Sequence, residues 1–355
     1  MSPMQILQTL IEDLLANNDV TDVHLCEGDA PRIRVKRDLV LTDHPPIEPA
    51  PLAAWLGQQR PGDAKVQAVL TGKVGNANFA SAGAHGRLRC NVYAARGTLR
   101  LAIRRIYRGD IGFEALGLPA SLLDLADQPR GIFLTTGPTG SGKSTTQAAL
   151  IQHFNLTRQG HILELADPIE YEHVSGQCLI TQREIGTDEV SFAAGLHGAL
   201  REDLNILVVG EMRDRETVEL ALRAAETGHL VVGTLHTAGA AASIERVASL
   251  FDGAERGAVL SVLATTMCGV VSQTLIRGIE GQVALAAEIL VPTTSVRANI
   301  RNGNIVGIRQ DMETGQQDGQ ITLHRALAAL YHARRIERED ALFYATDRDR
   351  LERML

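Results

Sequence analysis

The chain has 355 residues, of which 45% are hydrophobic and 22% charged, enough apolar material for two or three domains with their own cores and too much for a disordered chain. A formal net charge of −7 and an aromatic content of 4% give no global electrostatic reason to expect binding to nucleic acid or anionic lipid. The start Met1-Ser-Pro-Met-Gln-Ile-Leu lacks the basic and apolar stretches of a secretory signal, and no run approaches the ~18 apolar residues of a membrane span, so a cytoplasmic protein is expected.

Ile6, Leu7, Leu10, Ile11, Leu14 and Leu15 recur at helical spacing and predict an amphipathic helix. From 19 to 41 the pattern turns strand-like: Val20-Thr-Asp-Val-His-Leu and Arg32-Ile-Arg-Val-Lys, broken by Gly28-Asp-Ala-Pro31, suit a hairpin. Pro45, Pro46, Pro49 and Pro51 read as a loop, and strands resume at 86–93 and 98–104. A small α+β domain over 1–106 follows, then a linker over 107–119 with Gly109, Gly112 and Gly117. Short apolar strands at 131–136, 161–165, 206–209, 230–235 and 283–290 alternate with helix-like runs, which predicts an α/β core over 120–290 with a mostly parallel sheet between helices. A helical region over 291–355 closes the chain, with Leu323, Leu327 and Leu330 on one helical face and the charged stretch 337–340 leading into a small cap. Cys26, Cys90, Cys178 and Cys268 are too widely spaced for a Cys-x-x-Cys pair or zinc knuckle and read as free thiols.

The most specific local signal is Gly137-Pro-Thr-Gly-Ser-Gly142-Lys143-Ser144, placed between an apolar strand and a helix-like stretch. Closely spaced glycines let backbone N–H groups turn in around a triphosphate, a lysine meets the outer phosphates, and a serine hydroxyl faces Mg²⁺. ATP or GTP is the expected ligand. The contact set is Gly137, Pro138, Thr139, Gly140, Ser141, Gly142, Lys143, Ser144 and Thr145, with Ser144 assigned to Mg²⁺. Ile206-Leu-Val-Val209-Gly-Glu211 delivers a carboxylate at the edge where open α/β sheets place their ligands. There Glu211 is suited to polarise a water for attack on the γ-phosphorus, although a strand-end glutamate capping the next helix fits the same local sequence. His236 and Thr237 end another buried strand, as γ-phosphate sensors or as hydrogen-bonded structural residues. Asp167 and Glu170 flank Pro168 at a third strand end, an arrangement that turn chemistry also explains.

Together, Ala166-Asp-Pro-Ile-Glu-Tyr171, Gln182-Arg-Glu184, Leu200-Arg-Glu-Asp203, Gly210-Glu-Met-Arg-Asp214, and Ala225-Glu-Thr-Gly-His-Leu230 through Leu235-His-Thr237 resemble the type II/type IV secretion ATPases. Within them the chain most resembles the PilT-like retraction ATPases of twitching motility, from Asp22-Val-His-Leu25 to about residue 330. The resemblance makes 137–144 a Walker A motif, 165–170 an Asp box, 206–214 a Walker B motif and 228–237 a His box. It implies a PAS-like N-terminal domain, a RecA-like ATPase domain, a homo-hexamer, ATP and Mg²⁺ as cofactors, and a pilus platform partner at the cytoplasmic face of the inner membrane. Contact with the membrane would be indirect, and no direct nucleic acid is expected.

The resemblance also gives Arg89 and Arg104 a role, because arginines on the two matching strands approach ATP across domain or subunit boundaries; by themselves they read as exposed arginines of a half-buried sheet. Two features select the retraction branch: the Cys-x-x-Cys insert of extension and secretion members is absent, and Ser295-Val-Arg297-Ala-Asn-Ile-Arg301-Asn302 resembles the Ala-Ile-Arg-Asn-Leu-Ile-Arg-Glu motif. There Asn299 replaces leucine and Asn302 the acidic end. Ala166 departs further, standing where the Asp box has glutamate, while Glu164 leaves the same strand face two residues earlier. Three other readings stay open at this point: a motor of a type IVB secretion or conjugation apparatus, a nucleic-acid translocase, and a non-hydrolysing accessory subunit.

Overall fold

A computed structural model describes residues 2–17, 19–35, 38–59, 64–72, 75–84, 86–108 and 111–355. Gly109 of the expected linker lies outside the described residues. The chain divides into two compact units, Met1–Arg108 and Gly109–Leu355.

In the first unit, helix α1 (Pro3–Leu15) opens on a reciprocal cap: the Gln5 amide donates to Ser2 Oγ at 3.3 Å and the Ser2 amide to Gln5 Oε1 at 2.8 Å. Its buried stripe is Leu7, Ile11, Leu14 and Leu15, and Ile6 falls outside it. Strands β1 (Val20–Cys26), β2 (Arg32–Val35) and β3 (Asp38–Leu41) come next, with the expected β1–β2 hairpin pairing Val23 with Ile33. Helices α2 (Pro49–Gln59) and α3 (Ala64–Leu70) then precede β4 (Asn76–Gly83), β5 (Gly86–Ala95), β6 (Thr98–Arg105) and the two-residue β7 (Tyr107–Arg108). The proline-rich loop is therefore corrected: Pro49 and Pro51 open α2, where the first-turn amides have no helical partner and a missing N–H costs nothing. An antiparallel sheet in the order β3-β2-β1-β6-β5-β4 buries Val23, Leu25, Val92, Leu101 and Ile103 in one core with the α1 stripe, Trp55 and Leu56.

The second unit runs from α4 (Ser121–Ala126) through β8 (Gly131–Thr136), α5 (Lys143–Thr157), β9 (Gly160–Ala166), β10 (Tyr171–Glu172), β11 (Cys178–Glu184), α6 (Phe192–Ala199), β12 (Ile206–Val209), α7 (Arg215–Glu226) and β13 (Leu230–Leu235). Beyond these lie α8 (Ala240–Ala248), α9 (Gly253–Thr266), β14 (Met267–Arg277), β15 (Val283–Leu290), α10 (Thr294–Arg301), α11 (Ile305–Thr314), α12 (Leu323–His332), α13 (Arg338–Tyr344) and α14 (Arg348–Glu352). The sheet order is β11-β9-β12-β13-β8-β14-β15, and every adjacent pair is parallel except β14–β15. Every residue of β8, β12 and β13 is buried, as a parallel sheet covered on both faces requires.

Two cores flank this sheet. Phe133, Ile162 and Val208 pack on one side with Leu150 and Phe154 of α5, while Leu163, Leu165 and Leu207 pack on the other with helices α6 to α9. Phe113 and Leu118, within the expected linker, are buried in the α5-side core. The apolar runs missed β11 and β14: Gln182, Arg183 and Glu184 end the first, and Ser272, Gln273 and Thr274 fill the middle of the second.

Candidate active site

The loop from β8 to α5 bends through glycines. Gly137, Gly140 and Gly142 have φ of 141°, 76° and 90°, a region that residues with a Cβ rarely enter. Space matters as well at Gly137, where a Cβ would stand 2.4 Å from the Gln273 carbonyl oxygen and 2.6 Å from Ser141 Oγ. Lys143, the first residue of α5, is buried, and its Nζ donates to the carbonyls of Gly137 at 2.9 Å and Pro138 at 3.1 Å. The ammonium thus rests inside the loop, among backbone groups and the positive end of the α5 dipole. Burial pulls the Lys143 pKa below its ordinary value, and the charges of Glu211 and Glu170 oppose that shift.

Side chains lock the helix below the loop. Thr145 Oγ1 lies 2.9 Å from Tyr171 Oη, Gln273 Nε2 donates to Thr146 Oγ1 at 2.8 Å, and Gln147 Nε2 donates to the Val209 carbonyl at 3.3 Å. Ser144 is half-buried in the first turn of α5.

Glu211 leaves the end of β12, paired with Arg213, and its Oε1 lies 3.2 Å from His236 Nε2. The other ring nitrogen of His236 lies 3.4 Å from Thr139 Oγ1 and 3.5 Å from Lys143 Nζ. An ammonium has only protons to give, so Nδ1 faces Lys143 as an acceptor and Nε2–H donates to Glu211. Lys143, Thr139, His236 and Glu211 are thereby joined in one chain of polar contacts across the ends of three strands. The helix-capping role left open for Glu211 falls instead to Asp214, which accepts from the Thr217 amide at 2.9 Å and Thr217 Oγ1 at 3.0 Å. Thr237 is half-buried beside His236, whereas His229 sits at the opposite end of β13, with Nδ1 3.1 Å from the Ala224 carbonyl.

The Asp box lies alongside. Glu164 shares the α5-side face of β9 with Ile162, is buried, and accepts from Gln182 Nε2 at 2.6 Å. Burial pushes its carboxyl up to about 7, with Gln182 opposing the shift and Glu170 adding to it. Glu170 is half-buried and close enough to act on both Lys143 and Glu164 through its charge. Asp167 is exposed and adds to the field on Arg213. Ala166 is buried against Gly210, where a Cβ would stand 3.1 Å from the Ala166 Cα and 3.0 Å from the Leu165 carbonyl oxygen.

Arg89 and Arg104 belong to the first unit, as directly paired neighbours on β5 and β6. Arg104 Nε donates to Asp22 Oδ1 at 2.7 Å with its side chain 53% exposed, so Asp22 orients the guanidinium without enclosing it. The 295–302 stretch forms most of α10, and its Arg297 caps the end of α9, donating to the carbonyls of Ala264 at 2.7 Å, Thr265 at 3.2 Å and Met267 at 2.9 Å. Sequence reasoning did not find Arg213, Gln182, Tyr171 or Gln273 as partners of the site. Arg213, Gln182 and Tyr171 stand within the motifs above, but Gln182, Tyr171 and Gln273 take their roles from contacts between separate elements, while Arg213 pairs with Glu211 two residues before it.

The family model for type II/IV secretion system proteins matches residues 78–341. The chain belongs to this family. Among type II/IV secretion system proteins, the type IV pilus retraction ATPase PilT of Pseudomonas aeruginosa is 39% identical over 332 residues, covering 92% of this chain and 94% of PilT. YggR of Escherichia coli, described as uncharacterized, is 41% identical over 317 residues, covering 88% of this chain and 94% of its own length. A crystal structure of the pilus retraction motor PilT with bound ADP matches with a TM-score of 0.89 and 37% identity, over 98% of this chain and 99% of that one. The α/β fold, an N-terminal domain followed by an ATPase domain with a parallel sheet core, is the one expected from the sequence. The ATPase DotB of Legionella pneumophila shares the fold, with a TM-score of 0.80 at 23% identity over 96% of this chain and 95% of DotB.

Proposed function

We propose that this chain is an ATP-driven motor that works as a homo-hexamer and retracts a type IV pilus. The observation that carries the reading is the polar chain Lys143–His236–Glu211 beside a phosphate loop, in a protein similar to PilT along nearly its whole length. In this reading residues 137–145 cradle the ATP phosphates with backbone amides, and Lys143 exchanges its loop carbonyls for phosphate oxygens. Glu211 accepts hydrogen bonding from the attacking water while His236 Nε2–H holds the carboxylate in place. Among the described residues no three His, Cys, Asp or Glu side chains gather as a metal cage. A hydroxyl in the first turn of α5 instead suits Mg²⁺, which binds few protein groups and relies on substrate phosphates, so Ser144 would hold it. When bound, the ion neutralises developing phosphate charge.

The working division is 1–106 as a PAS-like domain, 107–119 as a linker, 120–290 as the RecA-like core and 291–355 as the helical region. No helix among the described residues is long and apolar enough to cross a membrane. We assign the motor to the cytoplasmic face of the inner membrane, held there by a platform protein. Purified chain is expected to hydrolyse ATP and, by light scattering with nucleotide present, to weigh six times the monomer. A stable monomer without ATPase activity contradicts the reading.

Arg89 and Arg104 enter as charges supplied to the phosphates from the N-terminal domain of the same or a neighbouring subunit, a role worth ~10³–10⁵ in rate for arginines of this kind. Arg104→Ala is expected to bind ATP normally and hydrolyse it poorly. Rings mixed from inactive Lys143→Ala and Arg104→Ala chains recover activity if the arginine acts between subunits; no recovery despite demonstrated subunit exchange assigns it to its own chain.

Glu164 takes over for the carboxylate absent at 166. It faces the α5 side, and with a carboxyl near neutrality it is suited to exchange a proton at cellular pH. Glu164→Ala is expected to cut turnover by about tenfold or more at saturating Mg²⁺-ATP. Ala166→Glu, which adds a second carboxylate on the same face, is expected to slow the reaction by repulsion. Full activity in Glu164→Ala together with a gain in Ala166→Glu would show a site that simply lacks the group.

A further inference from the structure

Glu288 has no contact with Lys143 or Glu211, yet it holds the segment that carries His236. It lies in β15 opposite Ser272 of β14 and lines a cavity of about 270 Å³ with Arg309, Glu313 and His324. Its Oε1 accepts the amide of Ala240, the first residue of α8, at 2.6 Å. Leu323, the first residue of α12, lines the same cavity, and its amide acts on this carboxylate. Beside it, Ser272 Oγ accepts the Gly239 amide at 2.8 Å. Gly239 has a φ of 99°, and a Cβ there would stand 3.8 Å from Glu288 Oε1, so the chain turns closely over the carboxylate.

One carboxylate therefore lies between two helix starts, each a source of unpaired amides and positive dipole. Burial raises its carboxyl pKa, and the Ala240 and Leu323 amides and Arg309 oppose that shift while Glu313 adds to it. A side chain that only filled space here needs no charge and no link to α12. Helix α12 in turn packs through Leu327 and Ala328 with Ile336, Ala341 of α13 and Leu351 of α14. The route from these C-terminal helices to His236 is thus α12, Glu288, Ala240, and a few residues of chain.

We propose that Glu288 is a positioning residue that ties the start of α12 to the start of α8, so that the C-terminal helices set the placement of His236. The effect on rate rests on the hydrolysis reading above. Two variants of the full chain test it. Glu288→Gln keeps the size of the side chain and leaves a single acceptor oxygen. Leu323→Pro removes the Leu323 amide at the first helical position, where proline fits, and the preceding Thr322 already has the extended backbone, φ −83° and ψ 156°, that proline demands.

Hydrogen exchange over peptides spanning 236–248 is read beside steady-state kinetics and thermal melts. Both variants are expected to exchange about tenfold faster in that segment, and to lose about five- to tenfold in kcat with KM for ATP within about twofold. Leu323→Pro is read against Leu323→Ala, which loses the same side chain from the cavity but keeps the amide, so a purely local role for Glu288 leaves the two alike at 236–248. Unchanged exchange in folded variants overturns the proposal, as does faster exchange with unchanged kcat. If the wild-type chain hydrolyses no ATP, the hydrolysis reading fails on its own, and exchange alone decides the joint: faster in both variants supports it, unchanged overturns it.

Discussion

Lys143→Ala is expected to weaken ADP and ATP binding by on the order of 10², with the fold kept. The ammonium is the one side-chain cation placed within the phosphate loop, and a hydrogen bond to a charged group contributes roughly 1.5–3 kcal/mol, which is about one to two powers of ten in Kd. In the free chain Lys143 is held by two backbone carbonyls, and burial already works against its charge. Alanine removes a costly buried ammonium together with those contacts, so melting without nucleotide should change little. Calorimetric titration with ADP reads the affinity directly, and wild-type affinity in the variant contradicts the assignment of the loop.

Glu211→Gln is expected to separate binding from turnover. Glutamine keeps the volume and an oxygen able to accept from His236 Nε2–H, so the polar chain through His236 to Lys143 stays in place. The ion pair with Arg213 is lost, but that side chain is 67% exposed and such pairs contribute little. What disappears is the negative charge that orients and draws a proton from water. ATP should bind within about threefold of wild type while kcat falls by on the order of 10² or more. Near-normal hydrolysis would assign the water to another group, with Glu164 and Glu170 next in line.

The parts of this site that can be read from sequence are those whose signals are local. Gly137, Gly140 and Gly142 announce their loop because their backbone angles admit little else, and Glu211 and His236 stand at the ends of uninterrupted apolar runs. The supporting partners give no such signal. Gln273 holds Thr146 from a strand whose middle is polar, and Gln182 meets Glu164 only because β11 and β9 pair in register. Arg297 looks like a free charge until its chain folds back on the end of α9. The prolines misled for the opposite reason, since a residue that breaks a helix interior also starts one well. For Gln273, Gln182 and Arg297 the pairing that decides the role joins residues far apart in sequence, and composition near either partner carries no trace of the other.

The central claim, that this chain drives pilus retraction with ATP, is tested most directly by replacing the chromosomal copy with Lys143→Ala in the source organism and scoring surface filaments and twitching together. The account predicts excess filaments that do not retract and colonies that do not spread by twitching. Normal filaments and normal twitching, with secretion lost instead, would contradict it.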